Sequence, residues 1–326
     1  MRYRFFSVCF TLLMLAAGSS GQTWKAPRTP DGQPDLQGAW TNATLTPFQR
    51  PAELGDKQFF TEQEAAAYEK QRMQQTNADL VDGERGPADL ARRAYNNFWT
   101  ERGTHVVKSR RTSLIVDPPD GKIPAFTPEA QTRNDNFRAQ QAQHPSDGPE
   151  DRLLTERCLF FGAEGPPMLP EPYNSNYRIV QGPGYVAISV EMNHTVRVIP
   201  LDNRPHLPSN VLQWTGNSRG HWEGDMLVVE TTGMKFNNQS RFGVGYLSGL
   251  SDQNLTVVER FHRTDQDTIV YRATVTDPTV YTLPWTVEIS MTPREGPVLE
   301  YACNEGNYGL SGILGGARAD ESKLAK

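Results

Sequence analysis

Cysteine and histidine are scarce in this chain, 3 and 6 of 326 residues, and the scarcity closes off several chemistries. There is no cysteine cluster and no H-E-x-x-H spacing, so no metal centre is legible, although His194, His206 and His221 leave a dispersed site open. There is no G-x-S-x-G elbow, no Walker loop, and no G-x-G-x-x-G between a strand and a helix. "GPGYV" and "GLSGILGG" carry the glycines without that context, so the expectation is no nucleotide cofactor, and no cofactor of any other kind is indicated. No block of Lys and Arg stands out, and the formal charge of −5 is mixed along the chain. Nucleic acid and anionic membrane are therefore not the expected partners. Beyond the N-terminus no apolar run is long enough to cross a bilayer, so no membrane insertion is expected of the mature chain.

What is present begins with "MRYRFFSVCFTLLMLAAGSSGQTW". Arg2 and Arg4 precede a short apolar stretch, and small residues follow from Ala17 to Ser20. That order reads as a secretory signal over 1–21, with a buried N-terminal helix as the other reading. It implies an exported mature chain. Cys9 leaves with the signal, and Cys158 and Cys303 remain as a disulfide or as two buried thiols. A catalytic thiol is disfavoured outside the cell, where a thiolate is readily oxidised.

Pro (24) and Gly (27) are plentiful, which suits strands and loops better than a helical bundle. Residues 22–150 read as an irregular and helical region, with a turn at Asp31-Gly32. A helix starts after Thr61, whose pairing with Glu64 makes a capping box. A second helical stretch is expected near Leu90–Phe98, and a third after Thr127 with Pro128 in its first turn. "RTSLIVDPP" and "GKIPAF" read as a hairpin. Residues 151–326 read as the barrel-like domain, and from about residue 176 the apolar period becomes two, in "YRIVQGPGYVAISVEM", "HTVRVIPL", "SRGHW", "DMLVVETT", "NLTVVERFHR", "DTIVYRATVTD", "PWTVEISMT" and "PVLEYACNE". Successive hairpins make a meander, and the expected fold is mainly β: an antiparallel barrel-like body with N-terminal helices and loops packed on it. A β-sandwich is the alternative.

Alternation gives two strands an apolar face, Val186, Ile188, Val190 and Met192, and Trp285, Val287, Ile289 and Met291. The opposite faces carry Ser189 and Glu191, and Thr286, Glu288 and Ser290. Either the polar face is solvent-facing, or it lines a lumen suited to a hydroxylated or aromatic molecule such as a sugar or a phenol. With a two-residue loop at Met192-Asn193, Glu191 and His194 would oppose each other on one face. A carboxylate beside an imidazole is an acid–base pair; the other reading is an exposed hairpin-end charge pair. Arg157, Tyr173, His206, His221, Glu288 and Glu305 are the further candidates for ligand contact. His206 stands between prolines, and Glu305 lies in a dense polar stretch after a strand.

"TPDGQPDLQGAW", "GPPMLP", "GYVAISVEMNHTVRVIPLDNRPH", "SRGHWEGDMLVVETT" and "EYACNEGNYGL" together resemble a family of exported bacterial proteins over nearly all the mature chain. The resemblance implies a bacterial protein of the periplasm or the medium and transfers no catalytic residue. The meander, with its Trp222 to Asp225 turn, is also similar in outline to calycin-type barrels, a likeness of architecture that carries no function. The functional expectations are two: a small-molecule-binding barrel, if an enzyme then a cofactor-independent hydrolase or lyase, or a non-catalytic interaction protein. A haem or metal carrier is a third.

Overall fold

A computed structural model describes residues 24–77, 79, 97–235 and 254–324. The proposed signal and most of the Leu90–Phe98 stretch lie outside the described residues. Ten strands form one antiparallel sheet: β1 (Gly38–Thr41), β2 (Ile115–Asp117), β3 (Asn176–Gly182), β4 (Tyr185–Val190), β5 (Val196–Pro200), β6 (Asn217–Glu223), β7 (Met226–Thr232), β8 (Thr256–Asp265), β9 (Thr268–Thr276) and β10 (Trp285–Pro293). Their spatial order is β5-β4-β3-β1-β10-β9-β8-β7-β6, with β2 also on β10. The two ends, β5 and β6, come together without a ladder, so the sheet is a nearly closed barrel.

The seam has its own chemistry. Gly220 of β6 lies where a Cβ would come within 2.8 Å of Ile199 and Leu201, so only glycine permits that approach. Inside it, Arg197 of β5 donates through Nη1 to Glu259 Oε1 of β8 at 3.0 Å and through Nη2 to Glu259 Oε2. Tyr271 of β9 donates its hydroxyl to the same Glu259 at 2.9 Å. All three side chains are buried, and the pair spans the seam from β5 to β8.

The interior is packed with apolar side chains. Trp285, Val287, Ile289 and Met291 of β10 and Val186, Ile188 and Val190 of β4 are fully buried in one core. Thr286, Glu288 and Ser290 face outward, so the polar lumen that the alternation allowed is not there. The apolar faces of the strands fill the interior. Segment 160–169 packs against the same core: Met168 N donates to Tyr271 Oη at 2.8 Å, and Tyr177 Oη donates to Ala163 O at 3.0 Å.

Among the described residues three helices accompany the barrel: α1 (Glu62–Thr76), α2 (Pro128–Gln143) and α3 (Tyr308–Leu324). α1 starts as its capping box dictates, with Thr61 and Glu64 bonded reciprocally. Its Ala65 and Tyr68 pack with Leu45, Phe60 and Val106 in a satellite core, Phe60 and Tyr68 stacked at 5.0 Å. α2 begins after Thr127 as expected, the Thr127 hydroxyl accepting from Ala130 N.

Several expectations change. β1, in a stretch read as irregular, inserts between β3 and β10. β2 pairs with β10 rather than folding back on "GKIPAF". "PVLEYACNE" forms no strand, and Tyr301 N instead donates to Glu191 O at 3.3 Å. α3 carries no buried residue and was not signalled by a core-facing pattern. The Cys158–Cys303 disulfide is formed, with Cα atoms 5.6 Å apart, and ties the 303 segment to the loop before segment 160–169.

Candidate functional site

The "EMNH" turn is longer than a two-residue loop. Val190 N bonds Thr195 O, His194 N bonds Glu191 O at 3.2 Å, and Asn193 and His194 both take positive φ. That geometry sends the two side chains apart. Glu191 is 2% exposed and accepts from Asn176 Nδ2 at 2.6 Å, with Arg294 Nε 3.8 Å away. His194 is exposed, 3.4 Å from Tyr301 O and 3.9 Å from Glu300 Oε1, in a groove of about 370 Å³ with Arg178 and Leu299. The turn has a structural partner of its own in Glu164, a buried carboxylate on segment 160–169. Glu164 accepts from Thr195 Oγ1 at 2.5 Å, Phe161 N at 2.9 Å and Asn193 Nδ2 at 3.4 Å.

The other candidates are dispersed. His206 bridges Asn217 Oδ1 and Glu230 Oε1, each at 3.1 Å, and holds the 201–216 loop on β6 and β7. His221 meets Glu223 at 3.0 Å in the open. Glu288 accepts from Arg272 Nε at 2.6 Å and Arg111 Nε at 3.4 Å on the outer barrel face. Glu305 is exposed, and Tyr173 packs beside Tyr301, rings 6.1 Å apart. Arg157 Nη1 is buried without a hydrogen-bond partner among the described residues. Among those residues no three His, Cys, Asp or Glu gather as a metal would require, and His194, His206 and His221 have separate partners.

The structure concentrates cavity, charge and a perturbed carboxyl elsewhere. Between α1, segment 44–51 and segment 169–172 lies a cleft of about 460 Å³. Leu45, Phe48, Leu114 and Leu169 form its apolar wall; Arg72, Arg102 and Lys122 line it with positive charge, and Glu171 with a carboxyl. Arg72 follows Ala65 and Tyr68 at helical spacing, so the α1 face that packs on the barrel also aims it at the cleft. Its Nη1 donates to Gln75 Oε1 at 3.2 Å, while its buried Nε has no hydrogen-bond partner among the described residues. Arg50 also borders the cleft, but its guanidinium is engaged by Thr112 Oγ1 at 3.1 Å and Pro119 O at 2.9 Å. Lys122 Nζ donates to Arg50 O.

Glu171 stands between Pro170 and Pro172, which fix the backbone on both sides. Its N–H donates to Ser175 Oγ at 2.7 Å, and its Oε1 accepts from Gly162 N at 3.2 Å. Burial raises its carboxyl to about 7 from 4.5, against the opposing pull of the Gly162 N–H. At neutral pH the group is thus divided between acid and carboxylate, which suits it to give or take a proton.

A second cavity, of about 550 Å³, shares Thr76 and Arg102 with the first. Its floor is a polar cluster: Asn176 Nδ2 donates to Glu101 Oε2 at 2.7 Å as well as to Glu191, and Arg294 Nη2 lies 3.4 Å from Glu101 Oε1. Glu101 N donates to Pro172 O at 2.7 Å, so the two cavities adjoin at the residue after Glu171. Glu191 therefore does stand under a cavity, as a support for Asn176 rather than beside His194.

Sequence reasoning did not single out Arg72, Arg102, Lys122 or Glu171. The one local signal was the lone acid between prolines in "LPEPY"; the cations come from three separate segments. Comparison of the chain with protein-family models, curated proteins and solved structures finds no match.

Proposed function

We propose that this is an exported small-molecule-binding protein whose site is the cleft between α1, segment 44–51 and segment 169–172. Within it, Glu171 serves as proton donor or acceptor for a hydrolysis or elimination. The observation that carries the reading is the meeting of an apolar wall, three cations and one carboxyl raised to about 7 in a single cleft. The apolar wall accommodates a ring, the cations draw a negatively charged group, and Glu171 moves the proton. Export is supported by the signal-like N-terminus and by the Cys158–Cys303 disulfide, which suits an oxidising compartment.

A thermal-shift screen of the mature chain against sugars, sugar acids and phenolic acids tests the proposal. A ligand at a hundred times its dissociation constant adds about 2.7 kcal/mol. The expected hit loses its shift in Arg72→Ala and keeps it in His194→Ala. The reverse pattern moves the site to the groove beside His194. A hit that survives both changes, or silence across the panel, removes the cleft from the function.

A further inference from the structure

The two adjoining cavities differ in chemistry, and the difference describes a ligand. The first carries Arg72, Arg102 and Lys122 with the single carboxyl of Glu171, a surplus of positive charge. The second carries Glu101, Glu295, Arg102 and Arg294, a balanced set, with threonines and asparagines between them. A surplus of cations selects an anionic group. A balanced lining of short polar side chains and fixed carboxylates instead suits neutral hydroxyls, which both donate and accept. Glu101 is held from two sides, by Asn176 at 2.7 Å and Arg294 at 3.4 Å, so its carboxylate is set in place before a ligand arrives. Arg102 and Thr76 border both cavities, so one molecule can lie across them.

Resting on the cleft reading above, we infer that the ligand is an anionic sugar, its carboxylate or phosphate among Arg72, Arg102 and Lys122 and its hydroxylated ring over Glu101.

Titration calorimetry of the full mature chain with glucuronate, glucose 6-phosphate, glucose and benzoate tests this. At least one of the two anionic sugars should bind, with glucose weaker by about tenfold or more, the scale of one hydrogen bond to a charged group. Arg72→Ala should weaken that anionic sugar, and Glu101→Gln should weaken it without affecting benzoate. Circular dichroism of each variant checks that it is folded. Which anion binds decides between carboxylate and phosphate. Glucose binding as tightly as the anionic sugars overturns the inference. So does benzoate matching them with no response to Glu101→Gln; if its binding is still lost in Arg72→Ala, the cleft reading stands. Binding of none of the four overturns the inference, and the cleft itself falls only if the wider screen yields no ligand sensitive to Arg72→Ala.

Discussion

At the scale of one residue, Glu171 links the site to stability. Its carboxyl is at about 7 in the folded protein and 4.5 when exposed. Below the lower value both states hold the proton and the group contributes nothing to pH dependence. Between the two values the folded state keeps a proton that the unfolded state has lost, so stability falls as pH rises. Above about 7 the loss is complete, at most about 3 kcal/mol for a shift of this size. Glu171→Gln replaces the acid by a neutral group of its shape. The variant should therefore match the wild type at pH 4 and exceed it at pH 8, read as urea midpoints. An equal gain at both would mean that the charge is not what costs stability. Other carboxylates act by fixing backbone: Glu164 holds the 191–195 turn, and that anchoring, invisible in "EMNH" itself, sends Glu191 and His194 apart.

At the scale of an element, α1 shows how local rules set up a distant site. Its start is written in Thr61 and Glu64, and its packing face in Ala65 and Tyr68. Arg72 reaches the cleft because it continues that face. Thr61→Ala removes one cap and should cost about 1 kcal/mol. Because α1 packs through a small satellite core, the loss should show as faster amide exchange along the helix before the barrel melts. Uniform exchange across helix and barrel would instead make α1 part of one cooperative unit. β1 teaches the opposite lesson. It is four residues long, and "GAWT" has no pattern of its own to mark a strand. It becomes one because β3 and β10 offer unpaired edges, with Trp40 opposite Tyr177 on one side and Pro293 on the other.

At the scale of the whole molecule, a buried charge pair, Arg197 and Glu259, crosses the seam where the sheet closes. Removing one partner of such a pair leaves the other unsatisfied at a cost of about 3–5 kcal/mol, whereas replacing both by apolar residues is often neutral. Glu259→Ala should therefore unfold at much lower urea than the double variant Arg197→Met/Glu259→Leu, which should lie near the wild type. A double variant as weak as the single one would mean that closure needs the charges themselves. The sequence by itself determined the strands β3 to β10, the helix starts after Thr61 and Thr127, and the two cysteines able to pair. These follow from period, capping and turn chemistry, which act over a few residues. Only the tertiary structure decided which face of the sheet is inside, how the sheet closes, and which charges meet. The inside face is settled by apolar burial summed over all strands, and closure by the approach of Gly220 to Ile199 across the seam. The cleft joins side chains from α1, the 102 and 122 segments and "LPEPY", far apart along the chain. No window of sequence contains their encounter, because packing rather than spacing brings them together.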